Sequence, residues 1–378
     1  MKKMNIAFCL RDMQTGGVES VLIRTLDELR KCKDINISII TYVDIHEEVY
    51  KKYFESHPEI KLYSLYPSKW FGTKLPHFFL SRLFVHLLRD CYRNIKRTLF
   101  GMRKFKDIDV FIDYHDFGFV NELKHVHHAK KIAWFHSSVS IFIKRNFVSK
   151  LKFYDKVVLL TNALMNDLQD VYPEQSNKFV HIYNMVDIQQ ICNEANTKNK
   201  IKGDYFCSVS RLSGDKDIKT LLNGFDLFWQ SNKKPDVKLV IVGDGDKSDE
   251  YKNYAESLKS NKQIIFVGMQ KNPFVYMKGA IANVLSSYAE GFGLVLIESA
   301  AVGTLNIASD CKYGPREILL DGTAGLLYEP GNEKQLAQCM SDVYNKKVNV
   351  KQMIKMSDNA LVRFNKDVFL KNFISLIS

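Results

Sequence analysis

The chain has 378 residues, too many for one ordinary hydrophobic core and enough for two domains. Its 25% charged and 46% hydrophobic residues exclude a disordered chain. Seven scattered cysteines, odd in number and never spaced C-x-x-C, argue against a disulfide framework or structural zinc and point to a reducing compartment.

The net charge of +12 is unevenly held: residues 1–182 carry 29 Lys/Arg against 20 Asp/Glu, and residues 183–378 carry 25 against 22. A basic surplus suits nucleic acid, an anionic membrane face or plain solubility. The first residues run straight into a strand-like segment ending at Leu10, too short for a signal sequence or a membrane span. Gly16-Gly17-Val18-Glu19 then opens a helix that runs to about Arg30, which makes a strand-turn-helix unit with a glycine pair at the turn. Strand-like runs recur at 35–43, 109–114, 131–135, 156–161 and 179–183, separated by helix-length segments. That alternation predicts a parallel sheet covered on both faces.

Residues 68–106 stand apart, because Trp70, Phe71, Phe78, Phe79 and Phe84 are interleaved with Arg82, Arg89, Arg93, Arg97 and Lys104. Basic aromatic amphipathic helices of this type can lie among anionic headgroups, while the plainer reading is a pair of domain helices with a solvated basic stripe. No RNP-type strand or recognition helix supports a nucleic-acid partner. The polar stretch 185–202 reads as a linker. A second series of strand-like runs follows at 205–210, 237–242, 264–267, 281–285 and 305–308, and residues 367–378 form an amphipathic terminal helix. The expectation is two doubly wound sheets in tandem: residues 1–184, then 203–360, with 361–378 docking back on the first domain. Ligands of such sheets bind beyond the carboxyl ends of the strands, here in a cleft between the domains.

Two stretches carry chemistry. Ser286 to Ala301 reads as strand end, loop and helix, with Gly291 and Gly293 permitting unusual backbone angles and close approach of a ligand. The helix start suits a phosphate or a hydroxyl-rich sugar; Glu290 stands at its mouth and Glu298 about one turn inside. A paired Glu290 and Glu298 could serve as a glycosidase-like nucleophile and acid. Ser210-Arg211-Leu212-Ser213-Gly214-Asp215-Lys216 puts a guanidinium and an ammonium at another strand end, which a departing diphosphate requires. No G-x-G-x-x-G follows a strand, which argues against a nicotinamide dehydrogenase. The Asp-x-Asp pairs at 107/109, 215/217 and 244/246 read as turn residues, and His125, His127 and His128 lack spaced acidic or thiol partners for a metal.

Together these stretches resemble the retaining GT-B glycosyltransferases of the glycosyl transferases group 1 type. Glu290 and Glu298 match the E-x7-E signature of that family, and Asn272-Pro273-Phe274, Asp310-Cys311 and Gly314-Pro315-Arg316-Glu317-Ile318-Leu319 match its second-domain pattern. Ser210-Arg211-Leu212 with Lys216 and Gly243-Asp244-Gly245 also match; Gly16-Gly17, Trp134-Phe135-His136-Ser137 and Asn184-x-Val186-Asp187 match more loosely.

The resemblance implies an α/β GT-B fold of two Rossmann-like domains with a cleft. It implies transfer of a hexose or N-acetylhexosamine from a nucleotide sugar, UDP-sugar before GDP-mannose, to a lipid-linked or polysaccharide glycan, with retention and without a cofactor or metal. Glu298 would meet the ribose and Glu290 the transferred sugar. Arg211 and Lys216 would neutralise the diphosphate, with backbone N–H groups around Gly291, Phe292, Gly293 and Leu294 completing the anion site. Gly16 and Gly17 would approach the diphosphate or acceptor, and His136 would touch the donor sugar. The expected location is cytoplasmic, peripheral on the inner membrane face through residues 69–106. A sugar-nucleotide epimerase of the same architecture, or a non-enzymatic binder of membrane surfaces, is the alternative reading.

Overall fold

A computed structural model describes residues 3–14, 16–66, 105–197 and 201–378, and between 67 and 104 only Tyr92, Ile95 and Leu99, all helical. The basic aromatic stretch 68–106 therefore lies almost wholly outside the described residues. The strands are β1 (Met4–Leu10), β2 (Ile35–Val43), β3 (Lys61–Tyr66), β4 (Val110–Asp113), β5 (Lys130–Phe135), β6 (Lys156–Leu159) and β7 (Phe179–His181), followed by β8 (Asp204–Val209), β9 (Val237–Val242), β10 (Ile264–Gly268), β11 (Ala282–Leu285), β12 (Asn306–Ser309) and β13 (Leu326–Tyr328).

Among the described residues they form a seven-stranded sheet in the order β3-β2-β1-β4-β5-β6-β7 and a six-stranded sheet in the order β10-β9-β8-β11-β12-β13. Pairing is parallel in both, as in Ile6 with Ile37 on one side and Val110 on the other. Strands covered on both faces must be apolar throughout, and Ile6 through Leu10 and Leu239 through Val242 are all buried. The two strands that the sequence reading did not anticipate, β3 and β13, are edge strands, where half-exposed or three-residue runs leave no continuous apolar signal.

The chain divides into two compact units, Met1–Leu160 with Asp167–Ile182 and Leu370–Ser378, and Thr161–Asn166 with Tyr183–Phe369. In the second unit the helices Ile218–Ser231 and Glu333–Tyr344 cover one face of the sheet, and they approach so closely at Gly224 that a Cβ there would stand 2.7 Å from Leu336 Cδ2. The stretch read as a linker contains the helix Ile188–Glu194: Asp187 accepts a hydrogen bond from Gln190 N at 2.9 Å and Ile191 is buried. Seven residues with apolar side chains only at Ile188, Ile191 and Cys192 are too short a run for their periodicity to announce a two-turn helix.

The terminal helix Lys366–Ile377 ends inside the first unit. There Phe373 is fully buried, stacked on Phe8 of β1 at 6.1 Å with 11° between the ring planes and 6.1 Å from Trp134 of β5. Phe373→Ala is expected to lower stability by about 3 to 5 kcal/mol, measured by urea titration followed by tryptophan fluorescence, because it removes an aromatic ring from a packed core.

Candidate active site

Each sheet reverses its strand order at one point, between β1 and β4 in the first and between β8 and β11 in the second. Loops leaving neighbouring strands on either side of such a reversal run apart and leave a crevice at the carboxyl ends. In the second unit those loops are the Ser210–Lys216 and Ser286–Gly293 stretches, so the topology brings together the two segments that the sequence singled out.

Their junction is an ion pair. Lys216 Nζ lies 2.8 Å from Glu290 Oε1, with the two side chains 20% and 11% exposed. Ser287 Oγ donates to the same carboxylate oxygen at 2.6 Å, Ser286 Oγ donates to Lys216 O at 2.8 Å, and Tyr288 N donates to Asp215 O at 2.9 Å. These bonds fasten the β8 loop to the β11 loop. Arg211 lies on the same loop and is exposed, while its neighbour Leu212 is buried and anchors the turn.

The turn after β9 explains why that anchor works. Leu212 N donates to Asp244 O and Lys247 N donates to Leu212 O, both at 3.0 Å. A Cβ at Gly243 would stand 1.9 Å from Ser210 O, and one at Gly245 would stand 2.4 Å from Leu212 O, so only glycines admit the arginine-bearing loop at this depth. Two of the Asp-x-Asp pairs contain an aspartate with a local bond of the kind expected at turns, Asp217 accepting from Thr220 N and Asp244 from Gly245 N, whereas Asp109 accepts from Asn5 N, 104 residues away in the chain.

Of the two glycines flanking Phe292, Gly293 takes a left-handed φ of +96° and caps the helix Leu294–Ala301, whereas Gly291 does not take a positive φ. Tight backbone packing in this region falls at Gly314, which has φ +107° and where a Cβ would meet Phe292 O at 1.7 Å. The loop 310–314 thus supports the Glu290 loop from behind, with Glu290 N donating to Lys312 O at 3.1 Å and Tyr313 N to Glu290 O at 2.9 Å. Phe292 is buried between the rings of Tyr183 and Phe364, each 5.8 Å away. Glu298 is half-buried on the helix, just over one turn from its start.

Glu317 also holds the region together. Its carboxylate accepts from Asn162 N at 3.1 Å, Asn162 Nδ2 at 2.7 Å, Ala163 N at 3.2 Å and the Tyr183 hydroxyl. Burial pushes this carboxyl up, but the hydroxyl and amide donors outweigh it and hold the group below its ordinary range. Arg363 donates to the backbone oxygens of Glu317 and Ile318 at 3.3 Å. Only the Gly-Pro-Arg-Glu motif hinted at Glu317 in the sequence, since its partners are more than 130 residues away in the chain. Cys311, beside this loop, is buried and its thiol is pushed up to about 11 by that burial, which makes it a poor nucleophile at neutral pH.

The remaining candidates belong to the first unit. Gly16, the N-cap of the helix Gly17–Leu29, has φ −165°, an angle that any residue adopts, and its oxygen accepts from Ser20 Oγ at 2.8 Å. Gly17 begins that helix and is exposed. His136 follows β5, with its backbone N–H donating to Asp116 Oδ1 at 2.8 Å and its ring edge-on to Tyr114 at 4.8 Å. Its Nε2 is shielded from solvent and has no hydrogen-bond partner among the described residues. Burial pushes this imidazole down to about 4, against the opposing pull of the Asp116 carboxylate.

His136 is therefore neutral throughout the physiological range. Because its folded pKa lies below the unfolded value, the unfolded chain binds the extra proton first. The stability tied to neutral His136 is complete above about pH 6.5, and falls away as the pH drops toward about 4. Imidazole signals followed by NMR from pH 8 to 4 are expected to show His136 protonating last, and a midpoint near 6.5 would contradict its burial.

Comparison with known proteins fits this geometry. Residues 193–361 match the family described as Glycosyl transferases group 1. A curated relative from Campylobacter jejuni, N-acetylgalactosamine-N,N'-diacetylbacillosaminyl-diphospho-undecaprenol 4-alpha-N-acetylgalactosaminyltransferase, is 31% identical over 207 residues, covering 52% of this chain and 55% of that protein. The match thus spans about half the length of that relative. Two solved structures share the fold along nearly the whole chain. The lipopolysaccharide outer core galactosyltransferase WaaB in its apo form has a TM-score of 0.74 at 21% identity, covering 99% of both chains. The Anabaena Alr3699/HepE structure in complex with UDP has a TM-score of 0.74 at 17% identity, covering 98% of this chain and 99% of that one. Residues 193–361, which carry the Glu290-x7-Glu298 spacing, thus match the glycosyl transferases group 1 family, and the two parallel α/β sheets share the fold of these glycosyltransferase structures.

Proposed function

We propose that this protein is a retaining glycosyltransferase that moves a hexose or N-acetylhexosamine from a UDP-sugar to a lipid-linked or polysaccharide glycan, without a metal. The observation that carries this reading is the Lys216–Glu290 pair at the carboxyl ends of β8 and β11, with exposed Arg211 on the same loop and the helix start at Leu294 beside it. Lys216 and Arg211 are the charges that would meet the diphosphate. Glu298 would take the ribose hydroxyls. Glu290, already tied to Lys216 and Ser287, would orient the sugar rather than attack it.

In the reaction the bond from the anomeric carbon to the diphosphate oxygen breaks. A bond to the acceptor oxygen forms on the same face, and the acceptor proton passes to the departing phosphate. The enzyme contributes position and charge rather than a nucleophile. The first unit would contribute Gly16 and Gly17 near the diphosphate or acceptor and neutral His136 beside the donor sugar. UDP is favoured over GDP because HepE was solved with UDP and the TarM structure of Staphylococcus aureus also contains UDP. The lipid-linked acceptor is favoured by the undecaprenol-linked acceptor in the name of the Campylobacter relative.

A thermal-shift panel of UDP, GDP, ADP and NAD tests the donor. UDP at about 100 times its dissociation constant should add roughly 2.7 kcal/mol of stability. Glu298→Ala should weaken that effect, and equal shifts from NAD would reject the reading. Lys216→Ala should lower turnover by about a hundredfold or more, followed as UDP release from UDP-hexoses.

Among the described residues no helix is long and apolar enough to cross a membrane. Peripheral attachment to the inner membrane face through residues 69–106 would bring the enzyme to a lipid-linked acceptor. Charge reversal at Arg89, Arg93, Arg97 and Lys104 should release the protein from phosphatidylglycerol vesicles in a sedimentation assay. Binding that ignores both the reversal and added salt would refute the attachment.

A further inference from the structure

The turn after β4 is strained in a way that its sequence, Tyr114-His115-Asp116-Phe117-Gly118-Phe119, does not announce. Asp116 and Phe117 stand consecutively in the left-handed region, with φ +48° and +62°, although a glycine is only one residue away at Gly118. Such a conformation persists in non-glycine residues only where the surroundings over-determine it.

Here they do. Asp113, fully buried at the end of β4, accepts from His115 N at 3.2 Å, Phe119 N at 2.7 Å and the Tyr154 hydroxyl at 2.5 Å, which pins both ends of the turn to one carboxylate. Phe117 is held in an aromatic cage, 4.8 Å from Phe147 and 5.3 Å from Tyr154. The turn accomplishes one thing at a distance: it directs both oxygens of Asp116 onto the end of β5. Oδ1 accepts the His136 backbone N–H at 2.8 Å and Oδ2 accepts the Ser137 hydroxyl at 2.5 Å. The unpartnered, shielded Nε2 of His136 lies just beyond that clamp.

We infer that Asp116 is a positioning residue, whose strained turn fixes the backbone of His136 and so aims its imidazole in the reaction proposed above, a reading on which this inference rests. A turn that merely closes β4 to the next element would need neither the left-handed Asp116 nor the two bonds to the neighbouring strand. The carboxylate clamps the main chain of His136 rather than its ring, so it governs where the imidazole is and not what it does.

Asp116→Gly isolates the clamp, because glycine adopts the left-handed conformation freely and loses only the carboxylate. Asp116→Asn keeps a tolerated left-handed residue and one acceptor oxygen. In UDP release from the UDP-hexose that supports fastest turnover, Asp116→Gly should lower kcat about tenfold or more while the donor KM stays within about twofold. Its thermal shift with UDP should match wild type, and Asp116→Asn should recover much of the lost turnover. The double variant with His136→Ala should be no slower than His136→Ala alone, since both act through one group.

Independently of any donor, the His136 ring signal in NMR should move or broaden in Asp116→Gly. Wild-type kcat with an unmoved ring signal, or additive losses in the double variant, would overturn the inference while leaving the proposed function intact. Wild-type turnover in His136→Ala would overturn both this inference and the role of His136.

Discussion

Two opposite charges 2.8 Å apart, each largely withdrawn from water, are unfavourable unless further donors and a fixed geometry offset their desolvation. The Lys216–Glu290 pair meets that condition through the Ser287 hydroxyl and the bonds that fasten Ser286 and Tyr288 to the facing loop. Removing Lys216 would leave the Glu290 carboxylate without its cation, and removing Glu290 would leave Lys216 only the more distant Asp215 carboxylate at 3.8 Å, so the pair constrains its surroundings. The β8 loop is held down by the glycine turn at 243–245, the β11 loop by Gly314 and the backbone of Lys312 and Tyr313, and Phe292 is wedged between two rings. The same pair is what a diphosphate and a sugar would have to share. A site preorganised in this way changes little when charge develops in it, which is the condition for strong electrostatic stabilisation.

The first unit uses a different device for a similar end. It relies on one buried acid, Asp113, and a strained turn instead of an ion pair, and the group it presents, His136, is uncharged. A neutral imidazole can donate or accept a hydrogen bond without adding a charge to the buried end of β5.

The fold was largely legible because a parallel sheet covered on both faces demands continuous apolar runs, and the interior strands β1, β2, β5, β8, β9 and β11 show them. The short edge strands β3 and β13 do not. The glycine spacings and the Glu290-x7-Glu298 motif pointed to the second-unit loops, since motifs within twenty residues survive as sequence patterns. What stayed hidden were pairings across long separations: Glu317 with Asn162 and Tyr183, Asp116 with His136, and Asp113 with Tyr154. No spacing rule connects such residues, because their proximity is created by the sheet order itself. Of the two glycines expected to take unusual backbone angles, Gly293 has a positive φ and Gly291 does not, while the crowding at Gly314, where a Cβ would meet Phe292 O, arises across a separation that no short spacing announces.

The discontinuity of the first unit bears on the order in which the protein can be made. Its sheet is complete in sequence by His181, yet the ring that covers Phe8 and Trp134 belongs to Phe373, in the last nine residues assigned to that unit. Domains usually fold as they emerge from the ribosome, amino-terminal first. Here the amino-terminal sheet must wait, with aromatic surface uncovered, until nearly two hundred further residues have been translated and the second unit has had time to fold. The half of the chain that is synthesised first is thus the half that is finished last.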